Sequence, residues 1–195
     1  MATSCNLCCF YYFRTALVVL IRLIEAESKG NFWIADAYIN NLSSKPKNHK
    51  TDRIFNKPII LRSMQEKKVL VFLAKAFETM EFSVFVDVLG WARVDYGHNL
   101  PVDTCGFTEK VISTFNVPVI VDKTIDEINV GEYDALAIPG GFGEFGFYEE
   151  AYDERFLKLI REFNAKGKII ASICSGAFPV AKSGVLMGQI GRAHV

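Results

Sequence analysis

The chain lacks any excess of charge: 22 Lys and Arg stand against 22 Asp and Glu in 195 residues. Phosphate binding needs a clustered basic surface, which this balance does not supply, so nucleic acid is not an expected partner. Histidine is scarce, with only His49, His98 and His194. The five cysteines, Cys5, Cys8, Cys9, Cys105 and Cys174, are odd in number and do not form a disulfide framework, which fits a reducing, cytoplasmic setting. Cys5, Cys8 and Cys9 have the first half of a zinc-ligand spacing, but no second Cys or His pair follows, so no metal is expected. The apolar run from Cys9 to Ile24 is broken by Arg14 and Arg22, falls short of the roughly 20 residues a spanning helix needs, and precedes no small-residue cleavage pattern. The expectation is therefore no membrane, with an anchor or targeting leader as the alternative, because basic residues outnumber acids before Glu25.

Half of the residues are apolar, enough for one globular domain with a sizeable core. Residues 1–63 read as a non-domain leader, disordered or upstream sequence read through in frame; within it, Asn40 to Lys57 is polar, Lys-rich and without periodicity. Met64 opens a cleaner frame, MQEKK followed at once by a buried-strand pattern. At the other end, Ile190 to Val195 (IGRAHV) is what one frame of a common sequencing adapter encodes. The expected domain is 64–189, incomplete at its C-terminal end, and His194 carries no functional weight.

Inside that domain the run Val69 to Ala74 is short, branched and bounded by charge, as expected of a strand covered on both faces. Met80 to Arg93 places Phe82, Phe85, Val86 and Leu89 at helical spacing. Val102 to Cys105 reads as a strand, and Val111 to Thr114 with Val117 to Val121 as a hairpin or edge ribbon around Asn116. Asp134 to Ile138 is a buried strand running into the turn Pro139-Gly140-Gly141. Phe156, Leu159, Ile160 and Phe163 mark a helix that stops at Gly167. Lys168 to Ile173 is the last strand, and Ala177 to Lys182 begins another helix. Strands alternating with helices at this rhythm imply an α/β fold, a doubly wound, mostly parallel sheet whose ligands gather at the carboxyl ends of the strands.

The sharpest local signal is Ser172-Ile173-Cys174-Ser175-Gly176. It has the form small-x-nucleophile-x-Gly, which lets a strand fold back tightly into a helix and project the central side chain. Such a turn aims backbone N–H groups and a helix N-terminus at the sulfur, from which a lowered thiol pKa is expected. A buried structural cysteine at a strand end is the plainer reading.

Three ordered segments, LAKAFETME at Leu73 to Glu81, AIPGG at Ala137 to Gly141, and ASICSGAFPVAKSGVL at Ala171 to Leu186, resemble the ThiJ/PfpI superfamily, including its parkinsonism-associated deglycase and thiazole-biosynthesis branches. The resemblance implies a flavodoxin-like fold. It assigns the nucleophile to Cys174 and the proton-handling carboxyl to Glu81, and it places the oxyanion pocket at the backbone N–H groups of Gly141 and Ser175. Without the family, Glu81 is an ordinary acid in the first turn of a helix, Glu78 is a weaker candidate for its role, and Gly140 and Gly141 form a turn needing positive φ.

Three departures stand out. Ala76 occupies a position where many members have Gly; Ser175 follows the cysteine where protease-like members have His; and His49 and His98 match no family motif, so general-base help from histidine is missing. Gly141 to Gly146 satisfies G-x-G-x-x-G, but it lies in a late aromatic-rich loop with no helix evident before Glu149, so nicotinamide binding is not expected.

The resulting expectation is a cysteine-dependent enzyme of glyoxalase or deglycase type, acting without metal or organic cofactor on a small-molecule carbonyl substrate or its adducts, and homodimeric when full-length. A non-catalytic redox sensor or chaperone, with Cys174 oxidised beside Glu81, is the alternative, as is an inactive fragment with an open sheet edge. The stripe Phe142, Phe145, Phe147 and Tyr148 is left as pocket wall, dimer contact or core.

Overall fold

The computed structural model describes residues 33–34 and 66–188. Cys5, Cys8 and Cys9, the apolar run to Ile24, the polar stretch from Asn40, Met64 and the tail from Ile190 lie outside the described residues.

Strands β1 (Trp33–Ile34), β2 (Val69–Phe72), β3 (Val102–Gly106), β6 (Lys123–Thr124), β7 (Ala135–Ile138) and β8 (Ile169–Ser172) form one sheet in the order β1-β8-β7-β2-β3-β6. Every pairing is parallel, with Val69 beside Val102 on one side and Ala135 on the other, and Ala135 beside Ile169. Strands β2 and β7 are buried along their whole length, as their unbroken apolar runs require in a sheet covered on both faces. The ribbon β4 (Lys110–Ile112) and β5 (Pro118–Ile120) is a separate antiparallel hairpin whose tip turns at Asn116, φ +63°.

Helix α1 (Thr79–Tyr96) follows β2 and ends on Gly97 in the left-handed conformation. Its buried stripe is Phe85, Val88, Leu89 and Ala92, a slightly rotated version of the expected face, since Val86 is only partly buried. With Val69, Val71, Phe77 and Ala137 it forms the core on one face of the sheet. On the other face, α2 (Phe147–Ala151), α3 (Glu154–Ala165) and α4 (Ala177–Lys182) close a second core around Phe72, Phe156 and Ile160. There the Phe72 and Phe156 rings stack with centroids 3.6 Å apart. Helix α3 is opened by Asp153, whose side chain accepts from the Arg155 amide, and the chain turns at Gly167, φ +64°. Among the described residues, no helix is long and apolar enough to cross a membrane.

Candidate active site

Four chain segments meet at the carboxyl ends of β2, β7 and β8. Strand β8 ends at Ser172, and two residues later Cys174 sits at φ +52°, a left-handed conformation that non-glycine residues rarely adopt. A short 3-10 turn over Cys174–Gly176 leads straight into α4. The fold-back is tight enough that a Cβ on Gly176 would stand 2.5 Å from the Ile138 carbonyl oxygen. Cys174 is thus exposed at a strained strand-to-helix turn, the geometry expected from its sequence context.

Glu81, in the first turn of α1, is 2% exposed and points under this turn. Its Oε2 accepts a hydrogen bond of 2.6 Å from the Gly140 amide, and its carboxyl also meets the Cys174 thiol. Glu78, by contrast, only flanks the start of α1, its amide donating to the Gly140 carbonyl. Gly140 and Gly141 are required by close approach rather than by positive φ, correcting the simpler reading. A Cβ on Gly140 would lie 2.6 Å from Ser175 Oγ and 2.9 Å from Glu81 Oε2.

Ser175 clasps the neighbouring loop. Its hydroxyl donates to the Gly141 carbonyl at 2.7 Å and accepts from the Gly141 amide at 2.8 Å. The Gly141 amide, expected as an oxyanion donor, is therefore already engaged, whereas the Ser175 amide is directed at the sulfur.

The thiol departs from expectation. Its pKa is raised above the ordinary cysteine value, first by desolvation from partial burial of the sulfur and then by the adjacent Glu81 carboxylate. The Ser175 amide and hydroxyl pull the other way but are outweighed. The backbone N–H at the turn lowers the thiol pKa as expected, but burial and the Glu81 carboxylate outweigh it. Cys174 consequently rests as a thiol directed at the Glu81 carboxyl. The second described cysteine, Cys105, is fully buried in β3, and burial pushes its thiol up to about 12.

Ala76, at φ +58°, occupies another left-handed position. The hairpin holds it there: the Ala76 amide donates to the Ile112 carbonyl at 2.8 Å, and Thr114 Oγ1 donates to the Ala76 carbonyl at 2.8 Å.

The aromatic stripe divides. Phe147 is core, Phe142 and Phe145 are exposed, and Tyr148 interacts with Cys174 and Ser175. The sequence left Tyr148 open as pocket wall, dimer contact or core, because a tyrosine among phenylalanines carries no local signal of what its hydroxyl faces. The G-x-G-x-x-G segment forms a 3-10 turn over Gly143–Phe145 before α2 begins at Phe147, two residues earlier than expected. His98 follows α1 at the amino end of the sheet, opposite Cys174. Among the described residues, no three His, Cys, Asp or Glu side chains gather as a metal-holding group.

The family model for DJ-1/PfpI matches residues 67–194, about two thirds of the chain. The chain belongs to the DJ-1/PfpI family. It is 30% identical over 130 residues to the protein named deglycase PfpI of Pyrococcus furiosus, covering 66% of this chain and 72% of that one. It is 31% identical over 128 residues to protein/nucleic acid deglycase 2 of Escherichia coli, covering 63% and 68%. The crystal structure of Drosophila melanogaster DJ-1beta superposes with a TM-score of 0.54 at 29% identity, covering 62% of this chain and 61% of that chain. The DJ-1/PfpI assignment agrees with the mostly parallel α/β sheet, on which Glu81, Gly140 and Cys174, one from each of the three motifs, come together.

Proposed function

We propose that the chain is a cysteine-dependent enzyme acting on reactive aldehydes or their early adducts, of glyoxalase or deglycase type. The carrying observation is the left-handed Cys174 with its thiol on the buried carboxyl of Glu81. In this reading Glu81 accepts the thiol proton as the sulfur adds to the carbonyl carbon, and the C=O electron pair moves onto oxygen beside the Ser175 amide. The hydrogen on the sulfur-bound carbon then moves to the neighbouring carbonyl carbon, and water attacks the resulting thioester, breaking the S–C bond to release a hydroxyacid and return the thiol; the redox change is internal to the substrate, so no redox partner is consumed and no cofactor is required. The kinship to proteins named deglycases supports the reaction class. A homodimer in the cytoplasm belongs to the same proposal.

The test is turnover of methylglyoxal by purified protein without added cofactor, with Cys174→Ala as the control. Turnover in the parent and loss of at least a hundredfold in the variant are expected. Equal rates would remove the cysteine mechanism. No turnover, together with peroxide conversion of Cys174 to a stable sulfinate, would favour the sensor reading.

A further inference from the structure

We propose that the phenol of Tyr148 is a hydrogen-bond donor of the Cys174 pocket, contacting the oxygen of a carbonyl substrate once the sulfur has added to it. The inference rests on the aldehyde-addition reading above.

Its starting point is a shortage of donors. The Gly140 amide is committed to Glu81 at 2.6 Å and the Gly141 amide to Ser175 Oγ at 2.8 Å, leaving the Ser175 amide at the sulfur. An alkoxide formed on the sulfur-bound carbon carries a full charge, and one amide is a thin complement for it; an additional donor contributes substantially. Tyr148 supplies one from a different element. Its ring stacks on Tyr152 with centroids 4.9 Å apart and leans on Phe178, one turn beyond Cys174 on α4, at 6.2 Å. Gly143 leaves room for it: a Cβ there would stand 2.8 Å from the ring carbons. The ring is thereby seated from three sides while its hydroxyl interacts with Ser175 and Cys174.

Desolvation, with help from Tyr152 and Cys174, raises the phenol above the ordinary tyrosine value, so it remains a donor throughout the neutral range. In the addition step the S–C bond forms, the C=O π bond breaks, its electron pair moves to oxygen, and the thiol proton passes to Glu81. Tyr148 keeps its proton and donates a hydrogen bond to the new alkoxide.

The test uses Tyr148→Phe, which preserves the ring contacts, and Tyr152→Phe as a stacking control. Two quantities are read on the purified chain: the rate of Cys174 alkylation by iodoacetamide, and the methylglyoxal concentration that half-protects Cys174 from it. Tyr148→Phe is expected to alkylate within about twofold of the parent yet to need roughly tenfold or more methylglyoxal for protection, the loss of one hydrogen bond to a charged group. Tyr152→Phe is expected to leave both unchanged. Unaltered protection in Tyr148→Phe, or equal losses in the two variants, would overturn the inference, as would a parent that methylglyoxal never protects. Protection that weakens in Tyr148→Phe while the parent shows no turnover would sink the enzyme proposal and leave this inference standing.

Discussion

The amide of Gly140 and the carboxylate of Glu81 are joined by a 2.6 Å hydrogen bond that ties the loop after β7 to the first turn of α1, beneath the Cys174 turn. One carboxyl therefore meets two neighbours, the Gly140 amide and the Cys174 thiol. Its removal should separate thiol acidity from catalysis. Glu81→Gln removes the negative charge that raises the thiol, so the Cys174 pKa should fall and alkylation at pH 7 should accelerate severalfold. Aldehyde turnover should drop by about a hundredfold or more, because the proton has lost its acceptor. Slower alkylation in this variant would contradict the stated cause of the raised thiol.

The two described cysteines should titrate apart. Cys174 should alkylate with a midpoint above that of a free cysteine, yet well below Cys105, which burial holds to about 12. Mass-resolved labelling between pH 7 and pH 11 checks this: Cys174 should titrate while Cys105 stays unlabelled. A Cys174 midpoint below that of a free cysteine would reverse the desolvation argument.

Cys105 should also make stability fall in alkali. The folded thiol keeps its proton to about 12, whereas the unfolded thiol releases it near pH 8.5. The folded state therefore binds the extra proton between those values. Its contribution is fully present below the lower one and is lost as pH rises towards the upper, by up to on the order of 5 kcal/mol. Urea midpoints at pH 8 and pH 10.5 should diverge in the parent and diverge less in Cys105→Ala.

Ala76→Gly should stabilise the protein by about 0.5–1 kcal/mol, because a left-handed backbone costs alanine more than glycine loses in chain entropy. Thermal unfolding measures it. A destabilised variant would mean that the hairpin contacts fully offset the strain at this position.

Gly140→Ala should retain the fold but lose roughly 1–3 kcal/mol, because the new methyl would press on Ser175 Oγ and Glu81 Oε2. Circular dichroism against Cys174 labelling separates the two effects: a folded protein with altered thiol reactivity is expected, and unchanged reactivity would show that the loop relaxes freely.

Most of the sheet was legible in the sequence, and physical reasons separate what was from what was not. Val69 to Phe72 and Ala135 to Ile138 are continuous apolar runs, and only a strand buried on both faces requires that pattern. The elbow was legible because Ser172 and Gly176 must be small for the chain to reverse there. Strand β6, Lys123–Thr124, was not, since two polar residues at a sheet edge have no periodicity to detect. The start of α2 was misplaced because Gly146, at φ +95°, both ends a 3-10 turn and opens the helix. The direction of the Cys174 shift was hidden for a deeper reason. Desolvation and the reach of Glu81 across 93 positions of sequence are tertiary quantities, while the opposing Ser175 amide is local.

The parallel pairing of β7 with β8, which places Ile138 beside Ser172, has a practical consequence. Side chains alternate faces along a strand, so sliding β8 by one position would carry Cys174 away from Glu81 while leaving a similarly compact apolar core. A preparation with some molecules slipped would look folded by its secondary structure. The fraction of Cys174 with the raised thiol pKa then counts the molecules in correct register, turning one sulfur atom into an assay of folding fidelity.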